Sequence, residues 1–226
     1  MKHLAVSLLA VVLVLAAGIF SFIVVPEGEN LISGRATAQV YIYETPEKGC
    51  AVNLTEGINM VSFYCETGDS NISDSINDRN NNSLNYDSVF SYNPNDPLDS
   101  WSSYNPSLPS WAVQSISSIN RRNGYAIIMN EDGEYYKRGY RFASTTIPLQ
   151  TGWNFIGYPS DAEINITDAL TQIDGMYTRV ETYTPVGGVK TWLYHTPPSG
   201  GTLSNMAPMV GYWIYMTQSA QIVVDW

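Results

Sequence analysis

The sequence predicts an α+β fold, predominantly antiparallel β, built as two tandem homologous modules behind an N-terminal hydrophobic helix. Three observations lead there: an internal duplication, strand-type alternation bounded by turn residues, and a long uncharged opening segment. The duplication is the plainest. Leu54–Phe63 (LTEGINMVSF) reappears as Leu149–Tyr158 (LQTGWNFIGY), and Asn123–Met129 (NGYAIIM) as Val210–Met216 (VGYWIYM). Between them, Asn71–Ile76 matches Asn165–Leu170, Val89–Tyr92 matches Val180–Tyr183, and Trp101 matches Trp192. Blocks repeated in the same order are the signature of a repeat architecture, and they fix the build before any chemistry is considered.

The elements follow in order. Residues 1–25 form an anchor or signal segment, because Leu4 to Val25 carries no charge and, as a helix, spans about 33 Å, enough for a bilayer core. Lys2 precedes it and Glu27 and Glu29 follow, which directs the bulk of the chain outside the cell. Ala16-Ala17-Gly18 has small residues for signal cleavage but would leave an apolar tail, and Ala36-Thr37-Ala38 lies too far downstream. An uncleaved anchor is therefore preferred, with a cleaved signal as the alternative. Residues 26–38 read as a tether, 39–140 as a first, divergent module and 141–226 as a second. Gln39–Tyr43 alternates as a strand. Each module then has a strand (Ile58–Phe63 or Trp153–Tyr158) and a short helix capped by Ser73 or Thr167. A strand at 88–92 or 179–183 follows, then another beginning at Trp101 or Thr191. A second helical stretch carries Ile116 and Ile119, or Leu203 and Met206. A closing hairpin turns at Asp132-Gly133, or before Gln221–Val224.

Composition narrows the function classes. Charged residues are scarce at 14%, and 16 tyrosines with many Ser, Thr and Asn take their place, as on exported β-rich proteins. The net charge of −10 with 11 Lys and Arg lacks the basic face that a phosphate backbone demands, so nucleic acid is not an expected partner. Cys50 and Cys65 beside an export segment read as a disulfide, two buried free thiols being the alternative. Closing such a loop contributes about 3 kcal/mol in the chain-entropy model.

The blocks Gly152-Trp153-Asn154-Phe155-Ile156-Gly157-Tyr158-Pro159 and Gly211-Tyr212-Trp213-Ile214-Tyr215-Met216 resemble a recurrent module of archaeal and bacterial surface proteins. The resemblance covers Cys50 to Trp226. The first copy departs from it, with Ile58 and Ala126 for Trp and Tyr64 for Pro. It implies an accessory repeat on secreted, S-layer-like or adhesive chains, and it brings no catalytic residues.

His3 lies in the leading flank and His195 in a Tyr-His-Thr-Pro-Pro turn, read as a solvated loop residue; no nucleophile elbow, phosphate loop or dinucleotide fingerprint occurs. The chain is therefore not expected to be an enzyme or to hold a cofactor. Asn93, Asn95, Asp96 and Asp99, and Asp69, Asp74 and Asp78, are oxygen-rich but lack calcium-loop spacing, so no metal site is assigned. Aromatics kept by both copies, Trp101 with Trp192 and Tyr125 with Tyr212, read as core. Those found in one copy only, Trp111, Trp153, Trp213, Tyr135 and Tyr136, are the candidates for stacking on a sugar ring. Asn53, Asn71, Asn81 and Asn165 begin N-glycosylation sequons, Asn81 being the best placed.

The expected role is a non-catalytic cell-surface or secreted envelope or adhesion protein. The alternatives are a carbohydrate-binding module or a pilus-like filament subunit donating its Gln39–Tyr43 strand. Expected partners are the membrane, through the N-terminal helix, and surface polysaccharide or other envelope proteins.

Overall fold

Side chains alternate between buried and exposed along nearly every strand, and that alternation sorts the chain into stacked antiparallel layers. The computed structural model describes residues 47–65, 71–140 and 144–225. All lie in the unit Pro46–Trp226. The anchor, the tether, the Gln39–Tyr43 strand, His3 and Asp69 fall outside the described residues. Among the described residues no helix is long and apolar enough to cross a membrane.

The first half contains β1 (Glu47–Leu54), β2 (Gly57–Val61), β3 (Tyr86–Tyr92), β4 (Trp101–Tyr104), β5 (Tyr125–Met129) and β6 (Gly133–Tyr140). The second contains β7 (Ser144–Leu149), β8 (Gly152–Gly157), β9 (Ile164–Asn165), β10 (Tyr177–Val186), β11 (Val189–Thr196), β12 (Gly200–Gly201), β13 (Asn205–Met206), β14 (Gly211–Met216) and β15 (Ala220–Asp225). One sheet runs β2-β5-β3-β4, and a second runs β8-β14-β10-β11-β12. The ribbons β1-β6 and β7-β15 form separate two-stranded sheets. In the first half, Cys50 and Leu54 on the ribbon pack with Val61, Val89, Tyr125, Ile127 and Met129 on the sheet. In the second, Ile147, Leu149, Ile222 and Val224 meet Ile156, Val180, Tyr212, Ile214 and Met216. Each such aliphatic side chain contributes about 1.5–3 kcal/mol by leaving water.

Three expectations are corrected. The closing hairpins do not pair with themselves: β6 pairs with β1 rather than β5, and β15 with β7 rather than β14. Buried Tyr135 on β6 shows why, since the strand crosses to the other layer to cover the core. Among the described residues, helix is confined to single turns at Ile72–Asp74, Ile166–Ala169 and Thr171–Ile173. Segments this short cannot propagate a helix on their own, and the backbone of the second predicted stretch bonds to other strands instead, Ser118 bridging Asn71 and β13 pairing with β9. The caps are Asn71 and Asn165, whose side chains accept from the Ser73 and Thr167 amides; Ser73 and Thr167 are not the caps.

Cys50 and Cys65 are joined as a disulfide that fastens β1 to the segment after β2, with Cα atoms 6.1 Å apart. The aligned positions Thr145 and Ser160 are also buried.

The two sheets meet through reciprocal backbone bonds. The Ser62 amide donates to Met209 O at 3.0 Å, and the aligned Gly157 amide donates to Arg122 O at 2.9 Å. Val61 bridges Val210, and the aligned Ile156 bridges Asn123. Gly157 is required there, because an added Cβ would lie 2.5 Å from Arg121 O. Lys190 adds a further tie from β11, its ammonium donating to Glu56 O at 2.6 Å and Thr55 O at 3.2 Å. Burial pushes the Lys190 ammonium below its ordinary pKa, while Asp132 and Glu56 act the other way.

Candidate functional site

Strand register places one face of the second sheet outward in three rows. Trp153, Tyr215 and Arg179 form the first; Phe155, Trp213, Glu181 and Tyr194 the second; Tyr183 and Trp192 the third. The opposite face, with Asn154, Ile214 and Val180, then Ile156, Tyr212 and Thr182, closes the core. Period-2 alternation is therefore what converts this aromatic-rich sequence into an aromatic surface.

Trp213 is the hub. Its ring stacks on Phe155 at 4.5 Å with planes 5° apart. Trp153 meets it edge-on at 6.1 Å, and Tyr215 meets Trp153 at 5.2 Å. The first half joins in, with Tyr92 at 5.3 Å and Trp101 at 5.8 Å from Trp213. Trp153, Trp192, Trp213 and Glu181 enclose a shallow trough of about 240 Å³. Glu181 pairs with Arg179, whose guanidinium also lies 5.0 Å over the Tyr194 ring. The result is a set of flat apolar rings interrupted by one carboxylate and one guanidinium. Such a surface offers ring faces to C–H groups and a few directional polar partners, the usual composition of a small-molecule site.

The structure gathers Trp153 and Trp213, two of the five single-copy aromatics. Trp111 is 83% exposed and does not line the trough. Tyr135 is corrected: it is buried at 1% exposure with its ring 4.6 Å from Phe63, so no sugar reaches it. Tyr136 lies under the Arg79 guanidinium at 4.1 Å, away from the trough. Trp101 and Trp192, expected in the core, are 53% and 51% exposed. Repetition in both copies concealed their position, but local alternation shows it: Trp192 and Tyr194 share one face of β11, Leu193 and His195 the other. Tyr125 and Tyr212 are core as expected, each hydroxyl accepting from a backbone amide, of Asn120 and Ala207 respectively.

His195 is also corrected. It is a buried strand residue, 7% exposed and beside the Tyr177 ring, and it lines neither cavity. Among the described residues no three His, Cys, Asp or Glu side chains cluster as metal ligands. Asn93 and Asp96 accept bonds from amides of their own loop, and Asp78 from the Asn80 and Asn82 amides, the work of turn formers. The sequon residues Asn53, Asn71, Asn81 and Asn165 are all exposed. Asn81 sits in the left-handed region at φ 63°, which suits a loop apex.

No protein-family model, no curated protein and no solved structure matches this chain.

Proposed function

We propose that the chain is a non-catalytic surface protein whose second sheet binds carbohydrate through its outer aromatic face. The carrying observation is the trough of Trp153, Trp192 and Trp213 around Glu181. Trp153, Trp192, Tyr194 and Tyr215 are each at least 36% exposed, a concentration of apolar rings that monomeric proteins keep for binding. Flat rings beside an acceptor and a donor suit a pyranose, which has apolar C–H faces and equatorial hydroxyls. The binding unit is read as two homologous modules related by duplication; the shared β2-β5-β3-β4 and β8-β14-β10-β11 orders and the reciprocal bonds between halves support this. Display outside the cell, with residues 1–25 as anchor and surface polysaccharide as partner, follows from the opening apolar segment and the disulfide. Membership of the surface-protein repeat resembled by the Gly-Trp-Asn and Gly-Tyr-Trp-Ile blocks is part of the same reading.

The test is titration of the detergent-solubilised full chain with a glycan panel, followed by tryptophan fluorescence. Saturable binding is expected, weakened about 30-fold or more by Trp153→Ala or Trp213→Ala, as for a central aromatic anchor, and unchanged by Trp111→Ala. A flat response across the panel would remove the sugar reading and leave an envelope protein that binds other proteins.

A further inference from the structure

A second cavity lies in the cleft where the two halves meet. It measures about 420 Å³, within the range of about 300–1,000 Å³ typical of ligand pockets. Two of its lining residues, Tyr92 and Phe155, also touch Trp213, so the cleft and the aromatic trough share a wall.

The wall chemistry is one-sided. The chain has 21 acidic residues against 11 Lys and Arg, yet no carboxylate lines the cleft, and its one charged lining residue is Arg122. Among the described residues, the guanidinium of Arg122, the hydroxyls of Ser102 and Ser118 and the carboxamide of Asn123 make no bond to the rest of the protein. Arg121 adjoins it, held below its ordinary pKa first by burial and then by repulsion from Arg122, and its Nε donates to Thr145 Oγ1 at 2.9 Å. An unpaired guanidinium among free hydroxyl and amide groups presents a two-pronged donor with accessory donors and acceptors. Carboxylates and sulfates match that fork in geometry and charge.

We propose that this cleft is a second subsite for an anionic sugar residue, whose carboxylate or sulfate is held by Arg122 while the neighbouring ring lies on the aromatic trough. The inference rests on the carbohydrate reading above and names the class of glycan. An acidic chain with a dedicated cationic pocket selects a charged polysaccharide by position, since its general field repels one.

The experiment compares three oligosaccharides of equal length on the full chain: a polyuronate, its carboxyl-reduced neutral form, and a sulfated neutral glycan. At least one charged form is expected to bind about 10-fold or more tightly than the neutral one, a margin that shrinks with added salt. The stronger of the two identifies the anionic group. Arg122→Gln is expected to erase the margin and leave the neutral affinity and the thermal melt unchanged. Arg122→Lys, with charge but no fork, is expected to restore only part of it. Equal binding of all three, or a margin that survives Arg122→Gln, with Trp213→Ala still abolishing binding, would overturn the cleft and leave the trough standing. Binding of none would overturn both.

Discussion

Asn154 offers the sharpest test of how the trough is held in place. Its side chain is 1% exposed and closes the turn between β7 and β8. The Oδ1 atom accepts from the Gln150 amide at 2.8 Å, and Nδ2 donates to Gln150 O at 2.7 Å and Gly152 O at 3.0 Å. Asn59 repeats the pattern in the first half, accepting from the Thr55 amide at 3.0 Å and donating to Thr55 O at 2.7 Å and Gly57 O at 2.9 Å. Asn154→Ala strands three backbone groups at about 1 kcal/mol each, a loss of about 3 kcal/mol. For a unit of this size that is a fall of about 6–12 °C in Tm. Asn154→Asp keeps the acceptor but loses both donors and buries a charge, so it is expected to do no better at neutral pH. The assay is a near-ultraviolet circular dichroism melt, with tryptophan emission reporting on adjacent Trp153. A fall of less than about 2 °C for both Asn154→Ala and Asn59→Ala would refute the reasoning that these side chains, rather than strand pairing alone, hold the turns.

Other expectations follow from single residues. Reduction of the Cys50–Cys65 bond, or its replacement by two serines, is expected to cost about 3 kcal/mol, read as a lower midpoint in a urea melt. Ser62 runs the other way. Its hydroxyl is fully buried with no partner, so Ser62→Ala is expected to leave Tm unchanged or raise it by about 2–4 °C; a clear fall would show that the hydroxyl is satisfied. Burial also governs the alkaline limb. It pushes the Tyr86 hydroxyl up to about 12, with help from Tyr104, and raises Tyr158, Tyr177 and Tyr212 as well. The unfolded chain gives up these protons near pH 10 while the folded chain keeps them, so stability is intact below that and falls as pH climbs from 10 towards 12. Tyrosinate absorbance should therefore rise in two steps, the second coincident with loss of near-ultraviolet dichroism; a single step near the ordinary value would contradict the burial of these rings.

The binding face was half legible in the sequence. Trp153 and Trp213 stand out because only one copy carries them, and that criterion found the centre of the trough. It also selected Tyr135, which faces the core because β6 crosses to the ribbon layer, and Trp111, which projects from a loop. The same logic assigned Trp101 and Trp192 to the core. Retention in both copies reflects a shared place in the fold, and that place is the outer face of a hairpin strand, half exposed in each case.

By itself the sequence determined what rests on local order and composition. That comprises antiparallel strands from period-2 alternation and the Cys50–Cys65 pairing from count and spacing. Tertiary structure alone decided which strands pair and which surfaces meet. Whether β6 returns to β5 or crosses to β1 depends on which arrangement buries Tyr135 with Leu54 and Phe63, contacts between residues far apart in the chain. The polar cleft exists only because Ser62, Gly157 and their backbone partners bring the two sheets together, and no single segment carries its pattern. Strand character is a property of a few neighbouring residues, whereas a site is a property of whichever surfaces the burial of the rest has left facing each other.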